Sequence, residues 1–345
     1  MTPAAPTNAE VLALFDQWSQ AVQSGDPDRV VALYAQDAVL LPTIANDPRR
    51  TPEAIREYFV EFLALNPEVR LDDYAIQSAG TLADNSGLYT FAVTPEGQPF
   101  RLIAARYTFN YELVDGQWLI IQHHSSALPK PDPDLTTRFE INALYESLLG
   151  RPADTAGLEQ FLVQVQNGKT LGDVARAIWI SPENADQEVA SYYQDFLGRL
   201  PDEGGREAFT RALANGVGES RVKAAILGSA EFAEGTSGAE GLVSKLYTKV
   251  LGREADPDGL ASHAEAVRRL GAQAVIDSLL ASNEYLGKQV NGYYEAYLGR
   301  AAWGDPAGLG GWIEVARAAG EGNAGWRIAS TREAWGQAFR NSRVD

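Results

Sequence analysis

The sequence contains no cysteine. That removes a thiol nucleophile, a disulfide framework and any thiolate metal site together. Histidine is nearly as scarce, with three in 345 residues. Basic charge is also short: 29 lysines and arginines stand against 46 aspartates and glutamates, a formal net charge of −17. Nucleic-acid binding depends on neutralising phosphates, and anionic membrane surfaces recruit basic segments. Neither is therefore expected as a partner. No apolar run is long enough to span a bilayer. The N-terminal stretch to Phe15 has neither the basic nor the apolar region of a secretory signal. A cytoplasmic chain is the expectation, with a non-classical export route left open.

What is present divides in two. A chain of this length exceeds one typical core, and the proline-spaced run Pro129 to Asp134 reads as a stiff linker. The expected plan is a domain over 1–128, a linker over 129–138 and a second domain over 139–345. In the first, a leader bearing Pro3 and Pro6 precedes a helix capped by Thr7 or Asn8, with Val11, Leu14, Phe15, Trp18 and Val22 as its apolar stripe. Pro27 opens a short helix over 28–34, and residues 38–41 form a short buried strand. Thr51 starts a third helix with Ile55, Tyr58, Phe59 and Phe62 on one face. Strands follow over about 71–81, 85–94, 100–113 and 117–127, separated by turn signals at Asp84-Asn85, Glu96-Gly97 and Asp115-Gly116. Helices followed by consecutive antiparallel strands make an α+β plan. A curved sheet over a long helix suits the nuclear-transport-factor-2-like (NTF2-like) cone.

The last of these strands, Trp118 to Pro129, carries His123, His124, Ser125 and Ser126. Side chains alternate across a strand, so the adjacent histidines cannot share a pocket unless a bulge intervenes. The third histidine, His263, lies in the other half of the chain, so no three-histidine zinc site is available in this domain. Adjacent histidines are commonly a solvent-facing residue beside a bonded core residue. Against that, Thr43, Tyr58, Tyr89, Thr90, Tyr107 and Thr108 bring hydroxyls toward the same strand. Hydroxyls and an imidazole in an apolar cone are the composition of a small polar-ligand site.

The segments LYAQDAVLLPT (33–43), AIREYFVEFLAL (54–65), NSGLYTFAV (85–93), ARYTFNYEL (105–113) and WLIIQHHSSALP (118–129) resemble the iota-class carbonic anhydrases. That class is a branch of the calcium/calmodulin-dependent kinase association-domain superfamily. The resemblance covers about 8–129 and implies an NTF2-like cone, a homodimer through it, and interconversion of carbon dioxide and bicarbonate. Some members are described as working without metal; a metal-independent site is favoured here, with zinc or manganese left open. Carried over, the family's threonine falls on Thr43, its helix tyrosine on Tyr58, and its histidine and serine in the HHSS run. Either His124 with Ser126 or His123 with Ser125 faces inward. The first pair is preferred because it shares the parity of Trp118 and Ile120. The expected catalytic set is thus His124, Ser126, Thr43 and Tyr58, with His124 as base or relay and Ser126 donating to a bicarbonate oxygen. Tyr107, Tyr89, His123 and Ser125 are the expected substrate-binding set.

Beyond the linker, Leu-Gly-Arg recurs at 149–151, 197–199, 251–253 and 298–300. Tyr145, Tyr193, Tyr247 and Tyr294 precede each triplet, an Asp–Gly turn follows it, and a Ser-x-Glu signal (Ser181, Ser229, Ser282) closes three of the units. The fourth degenerates around Ser330. Helix stops at the glycines make this half all-α, and the arginines suit capping or inter-helix ion pairs. The turn Asp256-Pro257-Asp258-Gly259 lacks the other ligands of a calcium loop. The pattern resembles the bacterial domain of unknown function 4214, itself similar to the helical repeat of phycobilisome linkers. The leading expectation is therefore a carbonic anhydrase with a helical tail that docks a protein partner. The alternatives are a non-catalytic oligomerising hub and a small-molecule-binding NTF2-like protein or isomerase. The last would want an aspartate or glutamate base that the matched segments do not obviously supply.

Overall fold

The computed structural model describes residues 5–342; Pro3 of the expected leader lies outside them. The chain packs as two compact units, Met1–Phe139 with Trp335–Asp345, and Glu140–Ala334.

In the first unit, α1 (Asn8–Gln23), α2 (Pro27–Val31) and β1 (Tyr34–Leu41) precede α3 (Pro52–Leu63), and β2 (Glu68–Ala79), β3 (Leu82–Val93), β4 (Arg101–Val114) and β5 (Gln117–Ala127) complete the sheet. Thr7 caps α1 in a capping box with Glu10, and Thr51 caps α3 ahead of Pro52, as the residue types require. The second helix is shorter than the sequence suggests. It stops at Val31, and the Leu33 carbonyl accepts a hydrogen bond from the Ile120 amide. The sheet thus captures the chain early, and β1 starts at Tyr34 rather than near Ala38.

The strand order is β1-β5-β4-β3-β2. β1 runs parallel to β5, and the other pairs are antiparallel. Val11, Phe15, Trp18 and Val22 of α1 and Ile55, Tyr58, Phe59 and Phe62 of α3 bury against the inner-facing rings of Tyr89, Phe91, Tyr107, Phe109 and Tyr111. This is the NTF2-like cone, and a helix-rich region follows it. A second small core in the same unit joins Ala92, Phe100 and Leu102 to Leu135, Phe139, Trp335 and Phe339. The last helix, Arg332–Asn341, therefore contributes its final turns to the cone's unit.

In the second unit each repeat supplies a long helix, a helix after the Asp–Gly turn, and a short third helix. The Leu-Gly-Arg glycines, Gly150, Gly198, Gly252 and Gly299, all sit at positive φ and end the long helices. Each following arginine holds a glutamate 31–33 residues later: Arg151 with Glu183, Arg199 with Glu231, Arg253 with Glu284 and Arg300 with Glu333. Each also lies over a tyrosine ring, Tyr145, Tyr193, Tyr247 or Tyr294, at 4.8–5.2 Å. The turn aspartates, Asp154, Asp202, Asp256 and Asp305, cap the next helix through the amides of Gly157, Gly205, Gly259 and Gly308. Asp256 is thereby a helix cap. Tyr293, Tyr297 and Trp326 of the fourth repeat pack into the core of the first, so the repeats close on themselves. Between the second and fourth repeats, fully buried Lys223 donates to Glu321 and Tyr285, both at 2.9 Å.

Candidate functional site

β5 sets the site, and one irregularity sets β5. Asn110 and Tyr111 of β4 are adjacent, yet they pair with Gln122 and Ile120. Ile121 is therefore an extra residue, a β-bulge, and the alternation restarts one step out of phase beyond it. Ile120, His123 and Ser125 are buried at 2, 2 and 4 % exposure, while His124 and Ser126 are half-buried. The preference for His124 and Ser126 on the inner face is corrected: parity counted from Ile120 fails because the bulge lies between.

His123 stacks on Phe109 with centroids 4.0 Å apart and meets Trp18 edge-on. The Trp18 indole N–H donates to the Tyr34 oxygen at 3.2 Å. Tyr34 has its own proton left for His123 Nδ1, 2.8 Å away. Nδ1 is then the acceptor and Nε2 carries the ring proton; the tautomer is assigned from this donor order. Nε2 is buried with no partner among the described residues. Burial pushes the imidazole down to about 3, with the neighbouring His124 a smaller cause. At neutral pH it is a neutral donor.

Two residues along the same face, Ser125 collects hydroxyls. Tyr89 donates to Ser125 Oγ, and Thr43 Oγ1 shares a hydrogen bond with the same oxygen. Thr43 arrives from the loop after β1. Tyr58 arrives from α3, its hydroxyl against Thr43 and the Ile44 backbone. Burial raises the pKa of Tyr58 and of Tyr89 far above neutrality, so all four hydroxyls keep their protons. Aromatic contacts among Tyr58, Phe59, Phe62, Phe91 and Tyr89 close the surroundings. The arrangement gathers hydroxyl donors in an apolar surround and can pass protons from one hydroxyl to the next.

Metal ligation is a poorer match. No group of three or more histidine, aspartate or glutamate side chains gathers among the described residues. The inner cluster offers one imidazole, already bonded at Nδ1, and neutral hydroxyls. Zinc takes imidazole, thiolate and carboxylate, and manganese carboxylate and water, so this donor set fits neither.

Residues 7–129 match the model of the calcium/calmodulin dependent protein kinase II association domain. A Xanthomonas campestris protein of known structure, provisionally described as such a domain, is 42 % identical over 38 % of this chain and 94 % of its own, with a TM-score of 0.36. Residues 7–129 belong to this association-domain family. Lower likenesses are an NTF2-like protein of unknown function from Pseudomonas putida (24 % identity, 37 % of this chain and 89 % of the other, TM-score 0.31) and an NTF2-like protein with a cystatin-like fold from Novosphingobium aromaticivorans (13 %, 36 % and 82 %, TM-score 0.32). Residues 132–188 and 223–289 match the domain of unknown function 4214.

Within the association domain, then, Thr43, Tyr58, Tyr89 and Ser125 come together, and His123 shares their face. Tyr107 is inward and its ring lies 4.9 Å from Tyr89, but its hydroxyl donates to Asn85 at 2.9 Å. Thr90 bonds Asp72 at 2.6 Å. Thr108 pairs with His124 on the half-buried face. Ser126 accepts from Arg106 at 3.3 Å. The sequence reading missed Tyr34, Asn85 and Arg49. Tyr34 was hidden because it was assigned to a helix. Asn85, buried with its Nδ2 unpartnered, sits within a turn signal that the strand overrides.

Proposed function

We propose that the association domain interconverts carbon dioxide and bicarbonate without a metal, at Thr43, Tyr58, Tyr89, Ser125 and His123. The observation that carries this is the convergence of the Thr43 and Tyr89 hydroxyls on Ser125, with Tyr58 against Thr43, beside a neutral imidazole with a free N–H inside an apolar cone. The resemblance of HHSS and its neighbours to iota-class carbonic anhydrases gives the reaction.

In this scheme the hydroxyls hold a water against carbon dioxide. Its oxygen bonds to carbon, one carbon–oxygen π pair moves onto oxygen, and His123 Nε2–H donates to that oxygen as charge develops. The water's proton leaves through Ser125 and Thr43, each accepting one proton as it gives up another, and passes to solvent. His123 is a donor here and not a base, since burial has removed its basicity.

The test is stopped-flow hydration by the full chain after exhaustive chelation. Ser125→Ala is expected to cost about 100-fold in kcat/KM, and His124→Ala and Ser126→Ala less than about twofold. Equal losses from Ser125→Ala and Ser126→Ala would sink the assignment, as would activity that returns only with added metal. Membership of the association-domain family favours a second reading, an oligomerising hub. Light scattering together with the hydration assay on the full chain tests it: a dimer or larger ring without hydration supports it, and a monomer rejects it.

A further inference from the structure

We propose that Arg49 is the anion-holding residue of this site, so that its ligand is a small planar monoanion. The choice of bicarbonate as that anion rests on the reading above; the assignment of Arg49 does not.

Arg49 lies in the loop between β1 and α3, where it makes an isolated antiparallel bridge. Its amide and carbonyl both bond Leu40, at 2.8 Å each. Leu40 in turn stands in register with His123. Arg49, Leu40 and His123 thus occupy one row across three neighbouring chain segments. Directly opposed residues put their side chains on the same face. Leu40 and His123 are both buried in the cone, so the Arg49 side chain enters from its inner face. The next position along that face on β5 is Ser125, which is bonded to Thr43.

Arg49 is half-buried, and its side chain makes no hydrogen bond or ion pair among the described residues. Its Nε is buried and has no hydrogen-bond partner among the described residues. Arg56 and Arg70, in the same unit, are each paired with an aspartate, Asp28 and Asp72; Arg49 has no carboxylate among the described residues. Its positive charge reaches the site, where it is among the influences favouring the ionised form of Tyr58. A buried donor on a cation left unpaired costs substantially. Every other polar group of the cluster is neutral. One unneutralised cation within electrostatic reach of Tyr58, in a face whose other polar groups are hydroxyls and an imidazole N–H, is complementary to a ligand of charge −1 with several acceptor oxygens. The planar fork of arginine matches a trigonal oxyanion at two points.

Isothermal titration calorimetry of the full chain with nitrate, bicarbonate and urea separates the possibilities. Nitrate and urea are both small and planar, and only nitrate is charged. Wild type is expected to bind nitrate and bicarbonate at least about tenfold more tightly than urea. Arg49→Gln should lose at least about tenfold for both anions, Arg49→Lys should lose less, and Arg50→Gln, at an exposed neighbour, should lose nothing. Anion binding unchanged in Arg49→Gln, urea bound as well as nitrate by wild type, or no anion bound at all would each overturn the proposal. If Arg49→Gln does not fold, as judged by circular dichroism, the nitrate–urea comparison on wild type and Arg49→Lys decide it. Carbon dioxide hydration that persists with Arg49-independent anion binding removes Arg49 only. Arg49-dependent anion binding without hydration removes the carbonic anhydrase reading only.

Discussion

His123 ties the site's chemistry to the fold's stability. Its folded pKa of about 3 lies below the unfolded value near 6.5. The stability this contributes is fully present above about pH 6.5 and is lost as pH falls toward 3. The imidazole should therefore stay neutral from pH 8 down to about pH 4, seen as invariant ring resonances in NMR titrations of the full chain. A titration of His123 near pH 6.5 would contradict both the burial argument and its role as a neutral donor. The residue types of the site were legible in the sequence: Thr43, Tyr58 and Tyr89 gather around Ser125, and His123 shares their face, while His124 and Ser126 lie on the other. The face was not legible. Alternation predicts sides only within an unbroken ladder, and Ile120-Ile121 carries no glycine or other mark of the bulge that resets it. Tyr34, which fixes the tautomer, was masked by a proline-started helix that ends sooner than its composition suggests.

At the level of the element, the four Leu-Gly-Arg modules show why a repeat can be read from sequence. Each conserved type in the motif has one physical job in all four copies. The glycine of each Asp–Gly turn is required by a close approach: a Cβ on Gly205 would come within 2.4 Å of the Tyr193 hydroxyl. Gly205→Ala should cost about 1–3 kcal/mol. The double variant Tyr193→Phe with Gly205→Ala should recover much of it, measured by urea unfolding as a double-mutant cycle. Additive losses would show that the clash is not the cause. Departures from the motif are also accounted for. Arg206 of the second copy, at the position that Leu158, Leu260 and Leu309 hold in the others, pairs with Asp186, and Ala302–Gly304 of the fourth copy forms a short 3₁₀ turn. The ion-pair role expected for the arginines holds; instead of capping the preceding helix, Arg151, Arg199 and Arg253 donate to the carbonyl of the next residue. Their stacking on the tyrosines was not foreseen, because the sequence spacing gives no ring orientation.

At the scale of the molecule, the second unit depends on a charge pair that the repeats do not share. Lys223 stands where its counterparts in the third helices are Ala175, Ile276 and Gly325, and it is buried against Glu321. Removing one partner strands the other. Lys223→Met should destabilise the unit by about 3–5 kcal/mol, and Lys223→Met with Glu321→Gln should recover most of that. Denaturant midpoints of the full chain check it; a double variant no better than the single would mean that the pair is not the cause. The first unit's debt to the chain's far end, where Trp335 and Phe339 join Phe100 and Phe139, had no sequence signal. A repeat motif says what its copies share and is silent on where the last one goes.

The closure of the fourth repeat on the first has an arithmetical consequence. An open solenoid lengthens or shortens by whole copies, because each copy asks only for a neighbour. Here Tyr293, Tyr297 and Trp326 complete a core begun by Tyr145 and Trp179, so the copy number is itself a structural parameter. Duplication of one module, the ordinary route by which repeat proteins grow, would open this ring instead of extending it.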